Sequence, residues 1–206
     1  MRRPEFIARQ SRCPTGLLGR LIGHVMERET AATNDAALAL LDLEAGDRVL
    51  EVGFGHGRTI ERAAAVLDHG VVAGIDPSEE MIRMATRRCR RLIDTGRVRL
   101  ARGDSLHLPY PDQCFGKAYT IHTIYFWADP ERHLRELRRV LRVGGRLVLG
   151  FRPKGDRGTE DFPASVYSFH STDRVCQMLQ QAGFEVGETP RAVGEVLLVT
   201  VRRASV

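Results

Sequence analysis

The chain has no apolar run that approaches the roughly 20 residues needed to span a bilayer. Its first apolar stretch, residues 17–26, is interrupted by Arg20 and His24, whereas a secretory signal needs an uninterrupted apolar core. The four cysteines form no CxxC pair and no Cys/His cluster, which argues against a structural zinc site and a disulfide framework. We therefore expect a protein of the reducing cytoplasm, without a metal site and without a transmembrane segment.

Lysine is nearly absent. Lys117 and Lys154 are the only two, so arginine supplies almost all of the positive charge behind the net charge of +5. The arginines cluster at residues 83–91 and 132–142, in segments that we expect to be surface helices. Acidic residues are interleaved with the second cluster, as on a solvated helix face that carries ion pairs. A solvated surface is therefore the preferred interpretation, and a nucleic-acid surface is the alternative.

Apolar runs and helical patterns alternate along most of the chain, whose length of 206 residues suits one domain with a substantial core. Strands are predicted at residues 48–52, 71–75, 97–101, 115–121, 146–151, 184–188 and 196–201, and helices at 57–67, 78–95, 129–143 and 172–182. Only residues 189–195 separate the last two strands, which is too short for a helical crossover, so these strands must pair antiparallel. The pattern predicts an α/β fold with a seven-stranded, mostly parallel sheet, helices on both faces and a C-terminal antiparallel strand pair.

Residues 1–32 are predicted to form an N-terminal helical extension, before a main domain over residues 33–206. Apolar residues at helical spacing indicate a helix over about residues 15–28, with its apolar stripe packed on the domain. Asn34 or Asp35 is expected to cap a second helix that ends near Leu41.

A glycine loop directly follows the first predicted strand, in the segment VLEVGFGHG over residues 49–57. Gly53, Gly55 and Gly57 leave the main chain bare, so that it can turn sharply and contact a ligand. The helix that follows directs its free amides at that ligand, which in an open parallel sheet lies at the carboxyl ends of the strands. The GxGxG spacing differs from the GxGxxG of dinucleotide sites, which disfavours an NAD-type oxidoreductase. A tight turn that binds nothing is the remaining alternative.

Acidic side chains stand at the ends of the next two strands. Asp76 ends the second strand, about twenty residues after the loop, where a carboxylate accepts hydrogen bonds from both ribose hydroxyls. Asp104 follows the third strand in the segment Gly103-Asp104-Ser105, placed to accept from an exocyclic adenine amino group. The glycine loop, Asp76 and Asp104 follow three neighbouring strands, and together they predict a nucleoside site.

Together these segments resemble the class I S-adenosylmethionine-dependent methyltransferases, especially their quinone-biosynthesis-like branch, methyltransferase type 11. The matching segments are VLEVGFGHG, GIDPSEEMIRMA, GDSLHLPYPDQCFGKAY and HLRELRRVLRVGGRLVL, within residues 47–150. One departure is Gly116, where the family commonly has an aspartate after the phenylalanine that opens the fourth strand. The resemblance implies a Rossmann-like fold and S-adenosyl-L-methionine as the cofactor.

The resemblance also implies which residues hold that cofactor. Glu51 and the loop glycines would line the methionine and ribose portion, and Asp76 would hold the ribose diol. The full implied set is Glu51, Gly53, Gly55, Gly57, Asp76, Pro77, Gly103, Asp104, Ser105 and Ile121, with no metal.

Catalysis at a sulfonium methyl group depends mainly on positioning and on the exclusion of water. His122 is the first candidate for a general base, because it follows the fourth strand where the predicted pocket lies. His56 in the glycine loop is the second candidate for the base, with shaping of the loop as the alternative. Tyr125 is a further catalytic candidate, within an aromatic cluster that would form apolar walls. A structural histidine and packed core aromatics are the alternatives. The helix at 15–28 and the loop at 152–170 are expected to recognise the acceptor, and one or both to act as a lid.

These observations predict methyl transfer from S-adenosylmethionine to a small-molecule acceptor, apolar or aromatic, by a cytoplasmic monomer or homodimer. An RNA or protein methyltransferase is one alternative. A non-catalytic protein that binds S-adenosylmethionine is the other.

Overall fold

The computed structural model describes residues 3–156, 158–187 and 189–205. A central sheet carries the fold. In the described part of the chain its strands are β1 (Arg48–Val52), β2 (Val71–Asp76), β3 (Val98–Arg102), β4 (Phe115–Ile121), β5 (Leu141–Phe151), β6 (Phe184–Glu185), β7 (Arg191–Val193) and β8 (Val196–Arg203). Their order across the sheet is 3-2-1-4-5-8-6, and β7 pairs with β8.

The strand directions confirm the predicted α/β class. The strands β1 to β5 are parallel to one another, and β6, β7 and β8 form the antiparallel C-terminal part. The sheet has eight strands instead of the seven predicted. The additional strand is β7, which forms because Gly194, at φ 59°, lets the chain turn tightly between β7 and β8. The predicted end of the sixth strand at Glu188 lies outside the described residues.

Helices cover both faces of this sheet. They are α1 (Glu5–Arg12), α2 (Gly16–Leu41), α3 (Arg58–Val66), α4 (Glu79–Arg88), α5 (Arg90–Asp94), α6 (Pro130–Val140) and α7 (Thr172–Gln181). Successive strand residues point to opposite faces. Val49 of β1 is buried in an apolar layer with side chains of α2, α3 and α4, and Leu50 in a second layer with side chains of α6 and α7.

The segment from residue 16 to residue 41 is one helix, where two were predicted. Asn34 does not cap a second helix: its amide donates to the Thr30 hydroxyl (3.2 Å), which itself donates to the carbonyl of Met26 (2.8 Å). These polar side chains are satisfied along the helix, and no glycine or proline follows Gly23 before its end, so nothing interrupts it. The predicted boundary between residues 32 and 33 falls inside α2.

The prediction that the apolar stripe of this helix packs on the domain is wrong. Leu17 is 81% exposed and Leu21 63% exposed. The buried face is formed instead by Gly19 and Gly23, and a Cβ at Gly23 would lie 3.0 Å from the terminal methyl of Met81. The helix approaches the domain through small residues, a preference that hydrophobic periodicity does not reveal.

Within residues 3–156, 158–187 and 189–205, no helix combines the length and apolar character that a membrane crossing needs.

Ser78 joins the N-terminal segment to the domain. Its hydroxyl accepts a hydrogen bond from the Met81 amide (3.2 Å) as the cap of α4, and donates to the carbonyl of Pro14 (2.5 Å). The side chain is 1% exposed, so both bonds lie away from water. One hydroxyl therefore starts a helix and holds the turn between α1 and α2 in place.

Ser78→Ala should therefore destabilise the protein more than the loss of a helix cap alone. Ser171→Ala is the matched control, since the Ser171 hydroxyl caps α7 through the Arg174 amide and has no second partner among the described residues. We expect a loss of about 1 kcal/mol for the control and about 2 kcal/mol for Ser78→Ala, because the Pro14 carbonyl loses its partner as well. Urea unfolding measures both. Equal losses would show that the bond to Pro14 contributes nothing.

Candidate functional site

The glycine loop turns directly out of β1 and depends on its glycines. Gly53, Gly55 and Gly57 all have positive φ, between 56° and 83°. A Cβ at Gly57 would lie 2.7 Å from the Cβ of Ala85, so this position also needs the close approach that only glycine permits. Gly57 directly precedes α3, and the loop therefore presents bare main chain at the carboxyl end of β1.

Asp76 is held against this loop by two main-chain amides. Its carboxylate accepts from the Gly55 amide (2.9 Å) and from the Ser78 amide (2.8 Å). The residue is 6% exposed, and this burial raises the pKa of the carboxyl from 3.8 to about 6 in spite of the two hydrogen bonds. Each oxygen has accepted one bond, so each keeps room to accept another from a ligand.

A cavity of about 450 Å³ opens at the carboxyl ends of the parallel strands. Nine of the ten predicted cofactor residues line it: Glu51, Gly53, Gly55, Asp76, Pro77, Gly103, Asp104, Ser105 and Ile121. Gly57 does not line the cavity and packs behind the loop against Ala85. The N-terminal segment closes the opposite wall with residues 11–14 and the inner face of α2.

Glu51 brings a second buried carboxyl to this cavity. Strand register pairs Glu51 with Tyr119 of β4, and the Tyr119 hydroxyl donates to Oε2 of Glu51 at 2.6 Å. Burial raises the pKa of Glu51 well above its usual value, although the hydrogen bond opposes this shift. The role of Tyr119 was not predicted, because only the pairing of β1 with β4 brings the phenol to Glu51.

His122 lies at the edge of the same cavity, in a backbone conformation with φ 60°. Its Nδ1 is 3.1 Å from the Tyr125 hydroxyl, which accepts a hydrogen bond from the main-chain amide of Arg152. Burial and the Arg152 charge lower the pKa of His122 to about 4, so its imidazole is neutral at neutral pH. The catalytic candidates His122 and Tyr125 are thus in direct contact.

A second cavity of about 430 Å³ adjoins the first and shares His122, Phe126, Met26 and Thr30 with it. Aromatic rings dominate one wall, formed by Tyr125, Phe126, Phe162, Tyr167 and Phe169. The rings of Tyr167 and Phe169 stack 5.6 Å apart, and the Arg3 guanidinium lies 4.4 Å from the centre of the Phe162 ring. Both segments predicted to recognise the acceptor reach this cavity, although Arg157 of the predicted loop lies outside the described residues.

Sequence reasoning missed one histidine of the first cavity. His133 opens the matching segment HLRELRRVLRVGGRLVL, but no site role was predicted for it, because only the packing of α6 against the loop after β3 brings it to the cavity. In the fold its Nδ1 is 2.7 Å from the Ser105 hydroxyl, and its ring stacks on Trp127. All three residues line the cofactor-sized cavity.

Arginines in both predicted clusters form ion pairs with neighbouring acids. Arg88 pairs with Glu27 at 2.9 Å, and Arg139 pairs with Asp112 at 2.7 Å and with Glu136 at 2.8 Å. In the part of the chain that the structure describes, no group of three histidine, cysteine or acidic residues is placed to hold a metal ion.

Comparison with known proteins identifies the domain that carries this site. A family model described as a methyltransferase domain matches residues 50–149. The 27-O-demethylrifamycin SV methyltransferase of Amycolatopsis mediterranei is 35% identical over 125 residues, which cover 61% of this chain and 46% of that protein. The demethylmenaquinone methyltransferase of Tropheryma whipplei is 37% identical over 117 residues, covering 55% of this chain and 45% of that protein. The chain spans about half the length of the curated relatives it matches.

A solved structure agrees with these relatives. A SAM-dependent methyltransferase from Aquifex aeolicus superposes with a TM-score of 0.73 at 25% identity, over 86% of this chain and 93% of that one. The matched segment contains Gly53, Gly55, Asp76 and Asp104, which line part of the first cavity. Residues 50–149 therefore form a methyltransferase domain, within the fold of a SAM-dependent methyltransferase.

Proposed function

We propose that the protein transfers a methyl group from S-adenosylmethionine to a small apolar or aromatic acceptor. The observation that carries the proposal is the meeting of two cavities at His122 and Phe126. One cavity has the glycine loop and a buried carboxylate, and the other is walled by aromatic rings. Relatives named for acceptors such as demethylrifamycin SV and demethylmenaquinone support a small-molecule acceptor.

The residues of the first cavity fit this cofactor chemically. Asp76 keeps acceptor capacity on both oxygens, which suits the two hydroxyls of a ribose. The bare loop at Gly53 and Gly55 admits close contact with main-chain atoms. Glu51 is buried and accepts a hydrogen bond from a neutral phenol. A cationic group of the ligand would therefore stabilise the ionised form of this carboxyl.

The chain positions the two substrates and excludes water between them. When bound, S-adenosylmethionine supplies an activated methyl group on a positively charged sulfur. Phe126 and Met26 line both cavities and give the junction low-polarity surface, which favours a transition state in which that charge disperses. The aromatic wall holds an apolar acceptor against the junction.

His122 is the candidate for proton removal from an acceptor hydroxyl. Its Nδ1 is engaged by the Tyr125 hydroxyl, and in our proposal Nδ1 carries the proton and Nε2 accepts the one from the acceptor. Tyr125 then acts as a positioning residue that fixes the imidazole. The low pKa of His122 keeps its imidazole neutral across the neutral pH range.

The segments at residues 15–28 and 152–170 would recognise the acceptor and close over it. Met26 of the first and Phe162, Tyr167 and Phe169 of the second line the aromatic cavity. A lid at this place separates the reacting groups from water. The ion pairs of Arg88 and Arg139 leave less free positive charge for an RNA acceptor, which disfavours that alternative.

Asp76 should control cofactor affinity and its pH dependence. We expect S-adenosylhomocysteine to bind the unmodified protein, and Asp76→Asn to weaken binding at least tenfold, about 1.4 kcal/mol. With a pKa near 6, affinity should be full above about pH 7 and decline as the pH falls through 6, whereas the variant should lack this decline. Protonation of Asp76, whose pKa is raised in the folded protein, does not cost stability. The lowered pKa values of His122 and His133 do cost stability below about pH 6.5, and Asp76→Asn shares this loss, so the variant controls for unfolding. Calorimetry at several pH values measures the decline in affinity.

Asp68→Asn is the control for this experiment, since the Asp68 side chain is 90% exposed and lies outside the cavity. Unchanged affinity in Asp76→Asn would remove the ribose-binding role, and no binding by the unmodified protein would refute the proposed cofactor site.

His122→Asn should lower turnover without lowering cofactor affinity. The assay is release of S-adenosylhomocysteine across a panel of hydroxylated aromatic acceptors. We expect a loss of about a hundredfold, the lower range for general-base catalysis. His69→Asn, at a 74% exposed side chain, should leave turnover unchanged. Equal turnover in His122→Asn would exclude His122 as the base, and cofactor binding without turnover on any acceptor would favour the non-catalytic alternative.

A further inference from the structure

The loop after β3 is tied to α6 on the inside of the first cavity. The Ser105 hydroxyl and Nδ1 of His133 lie 2.7 Å apart, and the two residues are 1% and 4% exposed. Outside the cavity, Glu136 accepts a hydrogen bond from the Leu108 amide (2.8 Å), and Arg139 donates one to the Leu108 carbonyl (3.0 Å). His133, Glu136 and Arg139 follow one another at intervals of three along one face of the helix. Of these three, His133 is the one that lines the cavity.

The ring of His133 also supports the segment after β4. It stacks on Trp127 with a centroid distance of 4.7 Å and an angle of 8° between the planes. Trp127 is 8% exposed and is the only tryptophan in the sequence. One imidazole therefore contacts both the loop after β3, where the nucleoside base is predicted to bind, and the segment after β4.

The surroundings of His133 keep this imidazole neutral. Burial lowers its pKa to about 4 and outweighs Asp104 and Asp129, which raise it, while Arg132 lowers it further. A neutral ring stacks on the indole without an uncompensated buried charge. It also keeps an acceptor nitrogen for the Ser105 hydroxyl.

We propose that His133 is a positioning residue of the cofactor site, which holds Ser105 and Trp127 as one rigid wall at the nucleoside-base end. The inference rests on the proposed function, because the ligand of this wall is the adenosine part of the cofactor. A loop fixed before the ligand arrives loses less conformational freedom on binding, so the contact contributes to affinity beyond its contribution to stability.

Two substitutions separate the two contacts of His133. His133→Phe keeps a ring on Trp127 and removes the bond to Ser105. His133→Asn places an amide oxygen near the position of Nδ1 and removes most of the stacked ring. His107→Asn is the matched control, two residues after Ser105 on the same loop but exposed.

The measurements are the affinity for S-adenosylhomocysteine, the affinity for adenosine, the unfolding midpoint and the emission of Trp127. We expect His133→Phe to lower the affinity for both ligands about fivefold, the range of one net hydrogen bond. The control should bind both ligands with normal affinity. Ser105→Ala should cause the same loss, and combining it with His133→Phe should add nothing, because both changes remove one contact. In His133→Asn we expect an altered Trp127 emission and a smaller change of that emission on ligand binding.

Affinity within twofold of the unmodified protein in His133→Phe and Ser105→Ala, with a lowered unfolding midpoint, would overturn the proposal and leave a purely structural contact. Additive losses of affinity would overturn it as well. If His133→Phe does not fold, the conservative Ser105→Ala decides on its own. Failure of the unmodified protein to bind either ligand would refute the proposed function itself, which is a different outcome from normal binding by the variants.

Discussion

The buried carboxylate of Asp76 is the constraint on which the site depends. A charge at this depth is costly unless hydrogen bonds reach it, and here the Gly55 and Ser78 amides supply them. The first bond fixes the glycine loop after β1, and the second fixes the start of α4. Ser78 then holds the carbonyl of Pro14, so the position of the N-terminal segment depends on the same carboxylate. The loop, the helix start and the cover of the cavity form one connected unit.

Several buried titratable side chains around the cavity have a hydroxyl group, and not an opposite charge, as their hydrogen-bond partner. Glu51 has a phenol as its partner, His122 a phenol and His133 a serine hydroxyl. In each case a neutral hydroxyl group satisfies part of the hydrogen-bonding capacity of a buried titratable group. Such a region is polar enough to orient a ligand, yet it keeps few fixed charges of its own. A ligand that brings a positive sulfur and ribose hydroxyls completes what the protein leaves open.

The local signals in the sequence were sufficient for the fold class and for bringing most of the candidate site residues to one cavity. Glycines with positive φ, Asp76 at a strand end and the Asp129–Pro130 helix start each act within a few residues, and the structure places them as predicted. The failures involve contacts between distant segments. The Glu51–Tyr119 bond joins residues 68 positions apart, and the Ser105–His133 bond joins residues 28 positions apart. The exposed stripe of α2 was misassigned because Gly19 and Gly23 carry no hydrophobic signal although they form its buried face.

The charge around the second cavity favours an apolar acceptor. Among the described residues, Arg3 and Arg152 reach this cavity, and two free guanidinium groups there would favour an anionic acceptor. Arg152 is bonded to Glu195, however, and Arg3 lies over the Phe162 ring. A guanidinium engaged by a carboxylate offers little net charge to a ligand, and one held over an aromatic face already satisfies part of its electrostatic preference. In the function that we propose, the rings of Tyr167 and Phe169 are the main recognition surface, and flat aromatic faces select an acceptor by shape and apolar area more than by charge.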